Sequence, residues 1–239
     1  MNIDAKNVDY KDLNDALRNA GNDLEITNCL GQRFIASGMS DKKIKIQGIP
    51  GNALGAYLNG ASIEVMGNAQ DAVGDTMNNG EIIIHGNVGD AVGYAMRGGL
   101  ILVRGSAGYR AGIHMKAYRE KQPVIVIGGK CGSFLGEYQA GGTIIVLGLT
   151  DDNKNIVGNF PCTGMHGGKM YLRGNCDNIK FPKGVNIRKA TDEDMADISP
   201  FIKAFSKSFD YDEKEILNSD FTVITPDSKN PYKQMYVAN

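Results

Sequence analysis

The sequence has no tryptophan, only 3 histidines and no apolar run near the roughly 18 residues that cross a bilayer. Its 26 basic and 27 acidic residues leave a formal net charge of -1, so there is no basic excess to attract nucleic acid or an anionic membrane. The start, residues 1–5, has neither the basic head nor the apolar run of a secretory signal. These absences predict a protein without nucleic-acid or membrane partners.

Cysteine is sparse as well, and no two cysteines form a Cys-x-x-Cys motif. A disulfide framework or a zinc site would need closer or more regular spacing. We therefore expect reduced thiols and a cytoplasmic location. The four cysteines are Cys29, Cys131, Cys162 and Cys176.

Common catalytic and cofactor motifs are missing from the sequence. It contains no Gly-x-Ser-x-Gly elbow, no P-loop and no Gly-x-Gly-x-x-Gly after a strand. His85, His114 and His166 lack the i, i+4 partners of a helical metal site. We predict no catalytic, cofactor-binding or metal site in this chain. A carboxylate pair formed by Asp71 and Asp90, 19 residues apart, is the one acid–base arrangement left open.

Glycine, by contrast, is abundant and periodic. All but four of the 31 glycines lie between positions 48 and 174. Short apolar segments ending in glycine begin at residues 44, 63, 82 and 101, each 19 residues after the last, and looser copies begin at 124, 144 and 170. Such a repeat cannot bury its apolar face alone, so successive copies must stack.

The repeat predicts an all-β fold, a single-stranded right-handed parallel β-helix with about seven coils of 19 or more residues. Each strand would pair with its equivalents about 4.8 Å above and below, and glycines would occupy the tight corners. Propellers, leucine-rich repeats and doubly wound α/β folds need blade lengths, leucine patterns or helices that this sequence lacks. The glycines assigned to corners are Gly48, Gly55, Gly67, Gly74, Gly86, Gly93, Gly105, Gly112, Gly128, Gly136, Gly148, Gly158 and Gly174.

Three segments are predicted along the chain. Residues 1–43 form an N-terminal cap with a helix and short strands, residues 44–174 form the β-helix, and residues 175–239 form a tail with helices that pack on the rod. The tail helix begins near Thr191 and is broken or kinked near Pro200.

One apolar patch is expected on the outer wall. If the first and third residues of each strand face inward, then coils five and six expose four aliphatic side chains together. The chain's own tail or another subunit would cover such a patch. Its predicted members are Ile125, Ile127, Ile145 and Leu147.

The run GNAQDAVGDTMNNGEIIIHGNVGDAVGYAMRGGLILVRG, with GGTIIVLG and GMHGGKMYLRG, resembles the glycine-repeat domain at the C-terminus of the glutamate synthase large subunit. The segment GYRAGIHMKAYREKQPVIVIGG and the tail look most like the free-standing version of archaea and anaerobes. One subunit of formylmethanofuran dehydrogenase, its glycine-repeat subunit, carries a similar repeat. The resemblance covers about residues 44–174.

The resemblance implies a structural subunit of a split glutamate synthase, which makes glutamate from glutamine and 2-oxoglutarate. Its partners would be a glutamine amidotransferase-like subunit and a synthase subunit holding FMN and an iron–sulfur cluster, with no cofactor in this chain. One alternative is the glycine-repeat subunit of a formylmethanofuran dehydrogenase-type complex. Another is an independent carbohydrate-active β-helix enzyme using Asp71 and Asp90. The isolated rod could also associate with itself.

Overall fold

The computed structural model describes residues 1–149, 155–174 and 176–227, so the last twelve residues of the predicted tail lie outside the described part. Strands and three helices alternate along these residues. In chain order they are β1 (Asn2–Asp4), α1 (Tyr10–Asn19), β2 (Asp23–Leu30), β3 (Lys43–Ile49), β4 (Asn59–Val65), β5 (Asn79–Ile84), β6 (Leu100–Val103), β7 (Val124–Ile127), β8 (Ala140–Val146), β9 (Gly167–Arg173), β10 (Val185–Lys189), α2 (Asp192–Phe209), α3 (Glu213–Leu217) and β11 (Phe221–Pro226).

The predicted β-helix is confirmed. Strands β1 to β9 pair in chain order, every pair is parallel, and the result is a β-solenoid of about eight turns. The solenoid starts before residue 44, because Ile26 of β2 already pairs with Ile46 of β3. At the far end β11 pairs antiparallel with β9, and β10 pairs antiparallel with β11.

Equivalent side chains stack in columns down the interior. The inward columns are apolar except at buried Gln139, so every turn buries its apolar face against the turns above and below. A second wall of single parallel bridges runs through Ala69, Val88, Ala107, Cys131 and Val157. One inward column consists of Leu24, Ile44, Ile63, Ile82, Ile101, Ile125, Ile144 and Met170, and all of its members are buried.

The five inner members of one corner column are glycine for two reasons. Its backbone is left-handed in every turn, with φ between +59° and +69°, and it faces the interior. A Cβ on Gly93 would lie 2.3 Å from Cδ1 of Ile125. Glycine avoids both the backbone strain and the overlap. The column consists of Ala36, Gly55, Gly74, Gly93, Gly112, Gly136 and Cys162.

A second set of glycines is required only because the neighbouring coil leaves no room for a Cβ atom. Gly86 and Gly105 lack a positive φ, but a Cβ on either would lie 2.2 or 2.3 Å from the side-chain oxygen of Asn68 or Asn87. Gly67 lies beneath them in the same column, with ordinary φ, and its Cβ would be 3.3 Å from the Gly48 carbonyl oxygen. Close approach of successive coils excludes side chains here. Gly48, Gly148 and Gly174 do have positive φ, at +125°, +58° and +91°.

The predicted register is wrong by one residue at β7. Val124 pairs with Leu100 and Ile127 with Val103, so the loop before β7 is one residue longer than the spacing of apolar segments indicated. Ile125 and Ile127 therefore face the interior, not the outer wall. Gly129, not Gly128, stacks on Gly105, and the Gly129 amide donates to the Gly105 carbonyl at 2.8 Å.

The corner assigned to Gly158 is also wrong. The Gly158 amide donates to the Cys131 carbonyl, so Gly158 stacks on Gly132. Cys162 takes the left-handed corner instead, at φ +59°, and its amide donates to the Leu135 carbonyl. Only the two end members of the column, Ala36 and Cys162, carry a Cβ.

The tail packs on the outer face of the parallel sheet. Helix α2 runs without interruption from 192 to 209 through Pro200, where a break or kink was predicted, because both halves bury apolar side chains on one sheet face. A glycine at 128 makes room for it, since a Cβ there would lie 2.7 Å from Cζ of Phe205. The second core consists of Leu102, Val124, Val126, Ile145, Leu147, Tyr171, Ile198, Ile202, Phe205, Phe209, Ile216, Phe221 and Val223.

An ion pair joins the tail helix α2 to strand β10. Both oxygens of Asp194 accept hydrogen bonds from Arg188 of β10, one at 2.9 Å, and the Thr191 hydroxyl and Asp194 complete a capping box. The Arg188 guanidinium holds the pKa of Asp194 well below its usual range, while burial opposes that effect. The charged form of Asp194 therefore stabilises the folded tail.

Gly93→Ala is expected to lower the free energy of unfolding by about 2–4 kcal/mol, because it adds overlap with Ile125 to left-handed strain. Gly38→Ala is the matched control, since Gly38 has φ +68° but open space around it, and it should cost only about 1 kcal/mol. Urea unfolding followed by circular dichroism measures both. Equal losses would show that space in this column does not matter.

Asp194→Asn is expected to cost about 1–3 kcal/mol at pH 7 and to flatten the acid side of the stability curve. The folded pKa is depressed, so the stabilisation is complete above the unfolded value of about 4 and fades as pH falls towards the folded value. Urea titrations from pH 7 to pH 2 test this. Asp220→Asn is the control, because Asp220 and Lys189 form an exposed pair worth little. Parallel acid curves for wild type and Asp194→Asn would refute the prediction.

Candidate functional site

Side-chain oxygens form ladders along the corners of the solenoid. Asp71 Oδ1 accepts the Asp90 amide at 2.8 Å, and Asp90 Oδ1 accepts the Tyr109 amide at 2.8 Å. A parallel ladder runs from Asn68 to the Asn87 amide and from Asn87 to the Ser106 amide. Each short polar side chain thus satisfies a backbone donor in the next coil, which turn amides otherwise lack.

The ladder explains the spacing of Asp71 and Asp90. One oxygen of each carboxylate is occupied by a backbone amide, and both side chains stand on an exposed corner. General acid–base catalysis by a carboxylate pair needs a shaped cleft that separates the two pKa values. The geometry supports a backbone-capping role for both residues.

The three histidines lie in different surroundings. His85 Nε2 contacts Glu64 Oε1 at 2.9 Å, and its ring meets Phe209 edge-on, at the end of the tail helix. His114 stacks on Tyr138, and His166 Nδ1 lies 3.0 Å from the Gly164 carbonyl oxygen. Across residues 1–149, 155–174 and 176–227, no group of three or more His, Cys, Asp or Glu side chains is arranged to hold a metal ion.

All four cysteines are buried, and none of them forms a disulfide. Burial raises the pKa of Cys29 to about 11 and that of Cys162 to about 12, and it raises the pKa of Cys131 further. A thiol with so high a pKa is a poor nucleophile at neutral pH. No helix in the described part of the chain is long and apolar enough to span a bilayer.

The apolar wall patch is closed by the chain itself. Ile145 and Leu147 face outward, are fully or almost fully buried, and lie in the second core beneath α2. The other outward residues of this wall are Leu102, Val124 and Val126, in place of Ile125 and Ile127. A partner therefore cannot reach this part of the sheet without displacing α2.

A different apolar surface is open to solvent. The turn face, as we call it, lies on the corners of four successive coils and contains Tyr94, Tyr109, Arg110, His114, Phe134, Tyr138 and Phe160. Tyr109 is 53% exposed and Phe160 61% exposed. Exposed aromatic side chains grouped in this way are typical of binding surfaces, where tyrosine and arginine are enriched.

The turn face is held together by ring contacts from coil to coil. His114 stacks on Tyr138 with ring centroids 5.2 Å apart, and Phe134 stacks on Phe160 at 5.3 Å. The Arg110 guanidinium lies 4.9 Å from the Phe134 ring centroid. Arg110 Nε also donates a hydrogen bond to Glu137 Oε2 of the next coil at 3.1 Å. Such contacts fix the side chains before any partner binds.

The backbone places these side chains outward. Phe134 and Phe160 have φ of +63° and +58°, and His114 and Tyr138 have φ of +54° and +53°. The side chains of the turn face are therefore attached to left-handed corner residues. The glycine repeat did not reveal the turn face, because the aromatic residues lie between the glycines and are absent from the earlier copies at most of these positions. The available signal was their spacing: His114, Phe134 and Tyr138 lie two residues from a corner glycine, and Phe160 lies two residues before Cys162.

A model of the GXGXG motif matches residues 6–227. The chain belongs to the GXGXG motif family. This GXGXG protein is 45% identical over 248 residues to the uncharacterized protein MJ1350 of Methanocaldococcus jannaschii, a match that covers 98% of this chain and 95% of the relative. The fold of the present chain matches that of a chain of the formyltransferase/hydrolase complex of Methylorubrum extorquens, whose crystal structure contains methylofuran. The TM-score is 0.64 at 20% identity, over 82% of this chain and 70% of that one.

Asp90→Ala in this GXGXG protein is expected to lower the free energy of unfolding by about 1 kcal/mol, because the Tyr109 amide loses its acceptor. Asp90→Asn keeps a side-chain oxygen at the same place and should retain most of the wild-type stability. Thermal unfolding of the three proteins compares them. A loss in Asp90→Asn as large as in Asp90→Ala would mean that the negative charge, not the hydrogen bond, matters.

Proposed function

We propose that this chain is a structural subunit of a multi-subunit enzyme and that the turn face docks a catalytic partner. The observation that carries the proposal is the exposed aromatic stack on a rigid corner of the solenoid, centred on Tyr138 and Phe160. Aromatic anchors that are ordered before binding lose little conformational entropy on docking. The solved neighbour, itself a chain of a multi-subunit complex, supports partner subunits in general.

Two enzyme systems are candidates for the complex. The likeness to a chain of the formyltransferase/hydrolase complex supports a formylmethanofuran dehydrogenase-type assembly, in which this chain would be the glycine-repeat subunit. The sequence resemblance to the glycine-repeat domain supports a split glutamate synthase, with an amidotransferase-like subunit and an FMN and iron–sulfur subunit as partners. The comparisons favour the first system over the second. The independent carbohydrate enzyme loses its support, since Asp71 and Asp90 act as backbone acceptors.

The test is native purification of the tagged full chain from its own organism, with identification of the bound subunits. Flavin and iron–sulfur absorbance together with glutaminase activity would identify the glutamate synthase system. Molybdenum or tungsten in the eluate, or formyl-transfer activity, would identify the other. Recovery of the chain alone and colourless at native concentration would contradict the proposal.

Tyr138→Ala with Phe160→Ala is expected to reduce the co-purifying subunits at least tenfold, since two anchors of about 2 kcal/mol each are removed. Tyr57→Ala is the matched control, because Tyr57 is 56% exposed and shares the corner column of Tyr138 but lies four coils away, outside the turn face. Circular dichroism checks that both variants fold. Full retention of partners by the double variant would place docking on another surface.

A further inference from the structure

A cleft of about 590 Å³ opens between the tail helix and the start of strands β8 and β9. Thr143, Lys169 and Tyr171 form its floor, and Asp197 of α2 stands opposite. Val124, Ile198 and Phe201 supply an apolar wall. The turn face lies elsewhere on the solenoid, so this cleft plays no part in the docking proposed above.

One buried donor in the cleft lacks a partner. Tyr171 is 0% exposed, lines the cleft, and its hydroxyl makes no hydrogen bond to any described residue within normal distance. Burial raises the pKa of Tyr171, so the group is an uncharged hydroxyl at neutral pH, although Lys169 nearby opposes the rise. A buried hydroxyl without an acceptor is costly, and an oxygen of a bound molecule would satisfy it.

The charges around the cleft balance. Lys169 Nζ donates to Asp197 Oδ2 at 2.7 Å and lies 3.8 Å from Asp194 Oδ1. Asp194 is already held by Arg188, which leaves Asp197 as the direct partner of Lys169. Of these four charged groups only Lys169 and Asp197 line the cleft, and they pair with each other. An added carboxylate would meet Asp197, and an added ammonium would meet Lys169, so an uncharged polar group suits the cleft best.

We propose that this cleft binds a small molecule carrying an uncharged primary amide and a short apolar body. The amide oxygen accepts hydrogen bonds from the Tyr171 hydroxyl and from the Lys169 ammonium, and the amide nitrogen donates to Asp197. The apolar body lies against the wall formed by Ile198 and Phe201. The ion pair stays intact throughout, so binding separates no charges.

Three probes of one size test the choice of ligand. Butyramide, butyrate and butylamine are titrated separately into the ¹⁵N-labelled full chain, and the backbone signals of Gly142 and Thr143, which line the cleft, are followed. Butyramide is expected to shift them saturably, with an affinity at least fivefold higher than either charged probe. Tighter binding of butyrate or butylamine, or no saturable shift with butyramide, would overturn the proposal.

Two variants test the role of the buried hydroxyl. Tyr171→Phe should weaken butyramide binding about tenfold and leave the fold intact, because the ring still fills the core and only an unpartnered hydroxyl is lost. Ser206→Ala is the matched control, since the Ser206 hydroxyl is likewise buried without a partner on α2 but does not line the cleft. Unchanged affinity in a folded Tyr171→Phe would overturn the proposal.

A third variant tests the charge balance. Asp197→Asn leaves Lys169 without its direct partner, so the cleft gains positive character. Butyrate should then bind more tightly than butyramide, which reverses the wild-type order. Because the Asp197 side chain is about half exposed, the substitution should not disturb the fold. An unchanged order of affinities would show that the ion pair does not select the ligand.

Discussion

Close approach of one coil to the next is the constraint on which this structure depends. Parallel strands hold successive turns at the spacing of a β-sheet, and the corners must then pass one another with almost no room between backbones. At Gly86 and Gly105 a single added carbon would collide with the coil below. Glycine is therefore required here by the stacking of neighbouring coils, even where the local backbone would accept any residue.

The same constraint separates the interior of the solenoid from its outside. Inward positions repeat in every turn, because each side chain must stack on its equivalent, and the aliphatic columns show little variation. Outward positions stack too, but they meet solvent, so their chemistry can change from coil to coil. Apolar outward residues in the later coils receive the tail helix, whereas Lys43 and Lys45 keep an earlier coil polar. Surface function can thus vary without disturbing the core.

The fold could be predicted from the sequence because the repeat shows which residues occupy equivalent positions in successive coils. The prediction failed where the repeat is irregular. All four residues of β7 are valine or isoleucine, so no polar residue marks the outward positions. The sequence alone therefore does not decide whether Val124 or Ile125 faces the interior. Cys162 shows the opposite limit, since the terminal coil tolerates a side chain where inner coils need glycine. Both failures follow from tertiary contacts that no local pattern contains.

Candidate sites were harder to predict than the fold, for a related physical reason. The cleft exists only because α2 returns to the sheet from residues far along the chain, which brings Asp197 to Lys169. The turn face exists only because aromatic residues from four coils align, with Phe134 on Phe160 and His114 on Tyr138. A rigid solenoid holds such surfaces at fixed separations, because each coil is locked to its neighbours by glycine corners and side-chain ladders. A structural subunit needs that property, since a partner placed on one corner is then fixed relative to everything bound elsewhere on the rod.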